Sequence, residues 1–135
     1  MKKRILLITG LVFGFISAFQ IYSDQTNELK ASMERGKEIY LANCVTCHMA
    51  NGQGVPNVFP PLAKSDYLME DLDRSVKQIL YGAQGEMKVN GVVYNGIMTG
   101  FDLSDKEVAD LLNYIRNSWG NKGEIVKPNQ VEKAK

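Results

Sequence analysis

The chain has one histidine, two cysteines and one tryptophan in 135 residues. The two cysteines, Cys44 and Cys47, stand two residues apart, so no disulfide framework is expected. With His48 as the sole histidine, cysteine and histidine together supply three ligands, one short of a tetrahedral zinc site. The adjacent Cys47 and His48 are also poor geometry for one metal. Charge of one sign is lacking as well. The formal net charge is +1, and Lys2, Lys3 and Arg4 account for that excess; from Asp24 onward 13 Lys and Arg face 15 Asp and Glu. Nothing in that balance points to nucleic acid or an anionic membrane surface as partner, and the totals indicate no strongly basic docking face. The length allows one domain.

Long apolar runs are scarce too, with one exception. Ile5 to Phe19 is an apolar run of 15 residues behind Lys2, Lys3 and Arg4. Extended through Tyr22 it reaches 18 residues, near the lower limit of a spanning helix. Residues 1–23 therefore read as a signal peptide or an N-terminal membrane anchor, with no clean small-residue cleavage site to separate the two. Residues 24–31 are polar and read as a tether.

What the chain does have is Cys44-Val45-Thr46-Cys47-His48. Two thiols two residues apart, followed at once by an imidazole, is the c-type haem attachment pattern. Each residue has its own task. The two sulfurs add across the haem vinyl groups, and the imidazole beside them reaches the iron from one face. A redox dithiol would need a βαβ setting, which the pattern around the motif lacks.

Around the motif the periodicity is helical. Leu29, Met33, Gly36 and Tyr40 predict a helix over about 29–42. Gly36 in its interior costs about 1 kcal/mol relative to alanine, which calls for a packing reason. Residues 49–58 read as a loop, and Pro60 and Pro61 make a rigid extended segment. Residues 65–81 predict one or two short helices, with Asp71 or Asp73 as cap, an apolar face of Leu72, Val76, Ile79 and Leu80, and Gly82 as terminator. Met87-Lys88-Val89 and Val92-Val93-Tyr94 flank Asn90-Gly91, the preferred pair of a tight type I′ hairpin. Ser104 and Glu107 have capping-box spacing at the head of a last helix. Its stripe is Val108, Leu111, Leu112, Ile115 and Trp119, and Gly120 is the expected stop. Residues 121–135 read as a polar C-terminal tail.

Over residues 32–120 the chain resembles the class I c-type cytochromes. Gly36 and Tyr40 match the glycine and aromatic of that family's first helix, Leu111 and Tyr114 the pair that packs across it, and Pro60-Pro61-Leu62 its Pro-x-Leu. Met98, in Tyr94-Asn95-Gly96-Ile97-Met98-Thr99-Gly100-Phe101, matches its methionine loop, with Thr99 where close relatives carry proline. The resemblance implies an all-α fold around one covalently bound haem c, with the hairpin as a small β addition. It implies that the Pro60 carbonyl accepts a hydrogen bond from the His48 ring. It also implies haem attachment on the outer side of the cytoplasmic membrane of a bacterium, hence a periplasmic or outer-face location, soluble or anchored.

Bis-histidine ligation within the chain is excluded, which leaves methionine, another donor or a vacant position. Of the six methionines, Met87 and Met98 remain once those too close to the motif, or on other elements, are set aside, and Met98 holds the family position. The expected iron ligands are therefore His48 and Met98, with Cys44 and Cys47 as the covalent attachments. A thioether opposite the imidazole fills the iron and raises its potential. The expectation is a carrier of single electrons between respiratory redox partners and not an enzyme. A subunit docked on a dehydrogenase, reductase or terminal oxidase is the alternative, and an open-site haem enzyme or gas sensor ranks last because no catalytic acid or base stands out.

Overall fold

The computed structural model describes residues 25–135. The predicted targeting segment, residues 1–23, lies outside the described residues. Among the described residues no helix is long and apolar enough to cross a membrane. The chain divides into two units between Ala31 and Ser32. In the first, residues 25–31 are helical where the sequence predicts a tether. Gln25, Glu28, Leu29, Lys30 and Ala31 are strong helix formers, which accounts for the difference.

Helix α1 covers residues 25–43 and is followed by the single turn α2, Val45–His48. Two short helices come next, α3, Asp66–Glu70, and α4, Leu72–Tyr81. Ser65 caps α3 by accepting from the Leu68 N–H, and Asp71 caps α4 by accepting from the Arg74 N–H. An antiparallel hairpin follows, β1, Ala83–Val89, and β2, Val92–Met98. Asn90 and Gly91 turn it with φ of 50° and 83°. The hairpin is longer than the sequence suggests, because Gly85 and Gly96 pair across it where periodicity alone reads a break. Met98 is thus the last residue of a strand, where a free loop is expected.

Helix α5, Asp105–Ile115, carries the predicted capping box between Ser104 and Glu107. It stops before Gly120. Asn121 donates to the Ile115 carbonyl at 2.7 Å and to the Leu62 carbonyl at 2.8 Å, capturing a backbone acceptor the last turn would leave unsatisfied. Trp119, expected on the helix stripe, lies beyond the end of α5 with φ 53° and packs tilted against Tyr40 and edge-on against Tyr114, ring centroids 5.0 and 5.3 Å away.

Helices α1 and α5 cross at Gly36. A Cβ there would stand 1.9 Å from the Asp110 carbonyl oxygen and 2.9 Å from Tyr114 Cβ, so only glycine admits the approach. Asp110 secures the crossing. It accepts from both Nε and Nη2 of Arg35 at 2.7 Å, from Ser32 Oγ at 2.6 Å and from Lys106 Nζ at 2.7 Å. Burial alone would raise the Asp110 carboxyl, but those donors outweigh it and hold the group below the usual carboxylate range.

The predicted tail is an ordered part of the fold. Asn113 Nδ2 donates to the Val126 carbonyl at 2.9 Å, and the Val126 N–H returns a bond to Asn113 Oδ1 at 2.7 Å. Beyond it α6, Pro128–Ala134, places Val131 and Ala134 in the core with Leu111, Leu112 and Val76. A polar composition hid this because two apolar residues three apart are enough to seat a helix of seven.

Candidate haem site

The Cys-x-x-Cys-His segment is held on one turn hung from the end of α1. The Cys44 N–H donates to the Tyr40 carbonyl and the His48 N–H to the Cys44 carbonyl, each at 2.9 Å. Below it, the Gly54 N–H bonds the His48 carbonyl at 3.0 Å, and the N–H groups of Leu62 and Ala63 both reach the Gly52 carbonyl at 2.8 Å. That wraps the proline segment under the imidazole. His48 Nδ1 stands 3.0 Å from the Pro60 carbonyl oxygen. A carbonyl only accepts, so Nδ1 carries the proton and Nε2 keeps its lone pair. Burial lowers the pKa of His48, and the Pro60 bond opposes that only in part, so the ring is neutral at pH 7.

A cavity of about 330 Å³ opens beside this turn, within the range of pockets that enclose small molecules. Cys44, Cys47, His48 and Met98 all line it. Leu62, Leu68, Ile79, Phe101, Leu111 and Ile115 supply apolar walls from the loop, α3, α4 and α5. No Lys, Arg, Asp or Glu side chain lines it among the described residues. The hairpin forms one side. By the strand period of two, Ala83, Met87 and Val89 on β1 share a face with Tyr94, Gly96 and Met98 on β2, and all six line the cavity.

Met98 pairs with Ala83 at the base of the hairpin. Its backbone is fixed against α4: a Cβ on Gly82, where φ is 85°, would stand 2.4 Å from the Met98 carbonyl oxygen, and the Phe101 N–H bonds the Ile79 carbonyl at 2.9 Å. Met87 lines the same cavity four positions nearer the tip. The site also includes residues the sequence reading passed over, Tyr67, Gln78 and Tyr94. The alternation Tyr94, Gly96, Met98 was the available signal for the last of them.

No disulfide joins Cys44 and Cys47. Burial, and then the neighbouring Cys47, push the Cys44 thiol up to about 11. That is opposite in direction to the low-pKa thiolate of a redox dithiol. Two thiols and one imidazole with a free Nε2, at the rim of a cavity without charged side chains, fit a flat apolar macrocycle anchored at one edge.

The fold agrees with the comparisons to known proteins. The cytochrome c family model matches residues 33–119. Cytochrome c-552 of Thermus thermophilus is 41% identical over 107 residues, which cover 74% of this chain and 81% of that one. The cytochrome c subunit of the quinone alcohol dehydrogenase of Gluconobacter oxydans is 39% identical over 88 residues, 64% of this chain and 18% of that protein. Cytochrome c-555 of Prosthecochloris aestuarii is 28% identical over 85 residues, 63% and 86% of the two chains. The chain belongs to the cytochrome c family, with the class I fold and haem c as its cofactor.

Proposed function

We propose that the protein carries single electrons by outer-sphere transfer between respiratory redox partners, through one haem held by Cys44, Cys47, His48 and Met98. The observation that carries the reading is that those four side chains line one cavity which, among the described residues, no charged side chain lines. The bound iron supplies a one-electron couple. The chain's residues do the rest. Cys44 and Cys47 would hold the haem by one thioether each, the thiol adding across a vinyl group so that sulfur takes one carbon and the proton the other. His48 presents Nε2, its orientation fixed by the Pro60 carbonyl, and such a bond raises the basicity of a ligating imidazole. Met98, held by the ladder and by Gly82, offers a thioether that favours the reduced state. The apolar walls exclude water, which keeps rearrangement between oxidation states small.

Residues 1–23 act as signal peptide or anchor and deliver the domain, residues 32–120, to the outer side of the cytoplasmic membrane in this reading. The similarity to a dehydrogenase subunit favours a second arrangement, with the protein docked on a dehydrogenase as its electron exit.

Two measurements test the proposal. The mass of the mature protein should exceed that of the processed polypeptide by one haem, and the Cys44→Ala/Cys47→Ala double variant should lose the increment. The spectrum of the reduced protein should not change under carbon monoxide. A prompt change would mean an open iron and would overturn the carrier reading.

A further inference from the structure

The Pro60 carbonyl that orients the His48 ring lies in a segment outside any helix or strand, so its position depends on what bonds and packs there. We propose that Asn121, beyond the end of α5, is a positioning residue for that imidazole: it acts through the backbone of residues 60–62 on the Pro60 carbonyl, and so on His48. The proposal rests on the haem reading above.

Asn121 is 7% exposed, and its side-chain amide, which has two protons to give, donates to two backbone carbonyls. One bond, 2.7 Å, goes to Ile115 in the last turn of α5. The other, 2.8 Å, spans 59 positions of sequence to Leu62. A helix cap needs only the first. Leu62 and Ile115 both line the haem cavity, so one buried side chain ties the segment under the imidazole to the α5 wall.

The link from Leu62 to His48 is short and stiff. Leu62 is two residues from Pro60, and the φ angles of Pro60 and Pro61 are fixed by their rings. A shift of the Leu62 carbonyl is therefore carried to the Pro60 carbonyl. The Leu62 N–H bonds the Gly52 carbonyl at 2.8 Å. Gly52 lies against Trp119, whose ring would stand 2.4 Å from an added Cβ. Trp119 and Asn121 thus hold the loop at both ends of that bond, and Gly120 between them takes φ 93° as the chain turns back.

The bond from His48 Nδ1 to Pro60, 3.0 Å long, weakens steeply with misalignment. Weakening it lowers the basicity of the imidazole, and a less basic ligand stabilises oxidised iron less. Asn121 bears on the potential in this way without lining the cavity itself.

The test is NMR of the ferric holo-protein, together with its reduction potential, for wild type, Asn121→Ala and Asn117→Ala. Asn117 is the control. It braces the same end of α5, donating to the Asn113 carbonyl and accepting from the Gly123 N–H, with no bond to the loop among the described residues. Asn121→Ala should speed exchange of the His48 Nδ1 proton with solvent roughly tenfold, the worth of about one hydrogen bond, and should raise the potential. Asn117→Ala should lower the unfolding midpoint and leave both readings at wild-type values. If Asn121→Ala does not fold, Asn121→Ser, which keeps one donor, carries the same comparison with smaller changes in the same direction. A lowered midpoint with proton exchange and potential unmoved would reduce Asn121 to a helix cap and overturn the proposal. Equal changes in Asn117→Ala would overturn it as a general loosening of the end of α5. Wild-type protein without covalent haem would instead overturn the underlying reading.

Discussion

A methyl group added to Gly36 would have to occupy space 1.9 Å from the Asp110 carbonyl oxygen, and neither helix backbone can yield that distance cheaply. Gly36→Ala should therefore lose on the order of 3 kcal/mol, despite alanine's better helix propensity. Urea unfolding of the holo-protein checks it: a lower midpoint is expected, and a rise would mean the crossing is looser than described. The sequence offered this residue as an anomaly, a glycine in a helix interior without local cause. The cause lies 74 positions away at Asp110, beyond the reach of periodicity. Haem c as cofactor was legible for the opposite reason, because its attachment motif is written into five consecutive residues, Cys44 to His48.

Between elements, the weight falls on polar groups that no apolar pattern reveals. Asp110 ties α1 to α5 through Ser32 and Arg35, with Lys106 on its own helix as a further donor, and Asn113 ties α5 to the segment before α6. Both lie among residues that a helical stripe assigns to the core. The Asp110 carboxyl is held below its ordinary value of 3.8, so the folded state binds its proton less readily than the unfolded chain. Its contribution is present above that ordinary value and is lost as pH falls through the folded pKa. Asp110→Asn should cost about 1–2 kcal/mol at pH 7, and the gap to wild type should narrow only as pH falls below the ordinary value of 3.8 and through the lower folded pKa. Denaturation midpoints across pH 2.5–7 provide the check; a gap that stays constant with pH would contradict the role assigned to the charge. The hairpin was partly legible at this scale. Asn90-Gly91 announced the turn, but the strands extend to Ala83 and Met98 because Gly85 and Gly96, poor strand formers alone, are carried by the ladder around them.

For the whole molecule, the class I fold and the cavity followed from the haem motif and the family resemblance, whereas the C-terminal helix did not. Val131 is fully buried in a segment whose composition is polar. Val131→Ala should lower stability by about 2 kcal/mol, read as a thermal midpoint several degrees lower. A solvated tail would tolerate the change within about 0.5 kcal/mol. What the fold accomplishes is to bring a turn at the end of α1, a proline segment, and the base of a hairpin to a single uncharged cavity, with His48 and Met98 presented from different elements. The central claim is that Met98, and not Met87 on the same face, completes the iron. The optical spectrum of the ferric holo-protein tests it through the weak far-red sulfur-to-iron band. The band should be present in wild type and in Met87→Ala and absent in Met98→Ala. A high-spin wild type without the band, or its loss in Met87→Ala alone, would contradict the account.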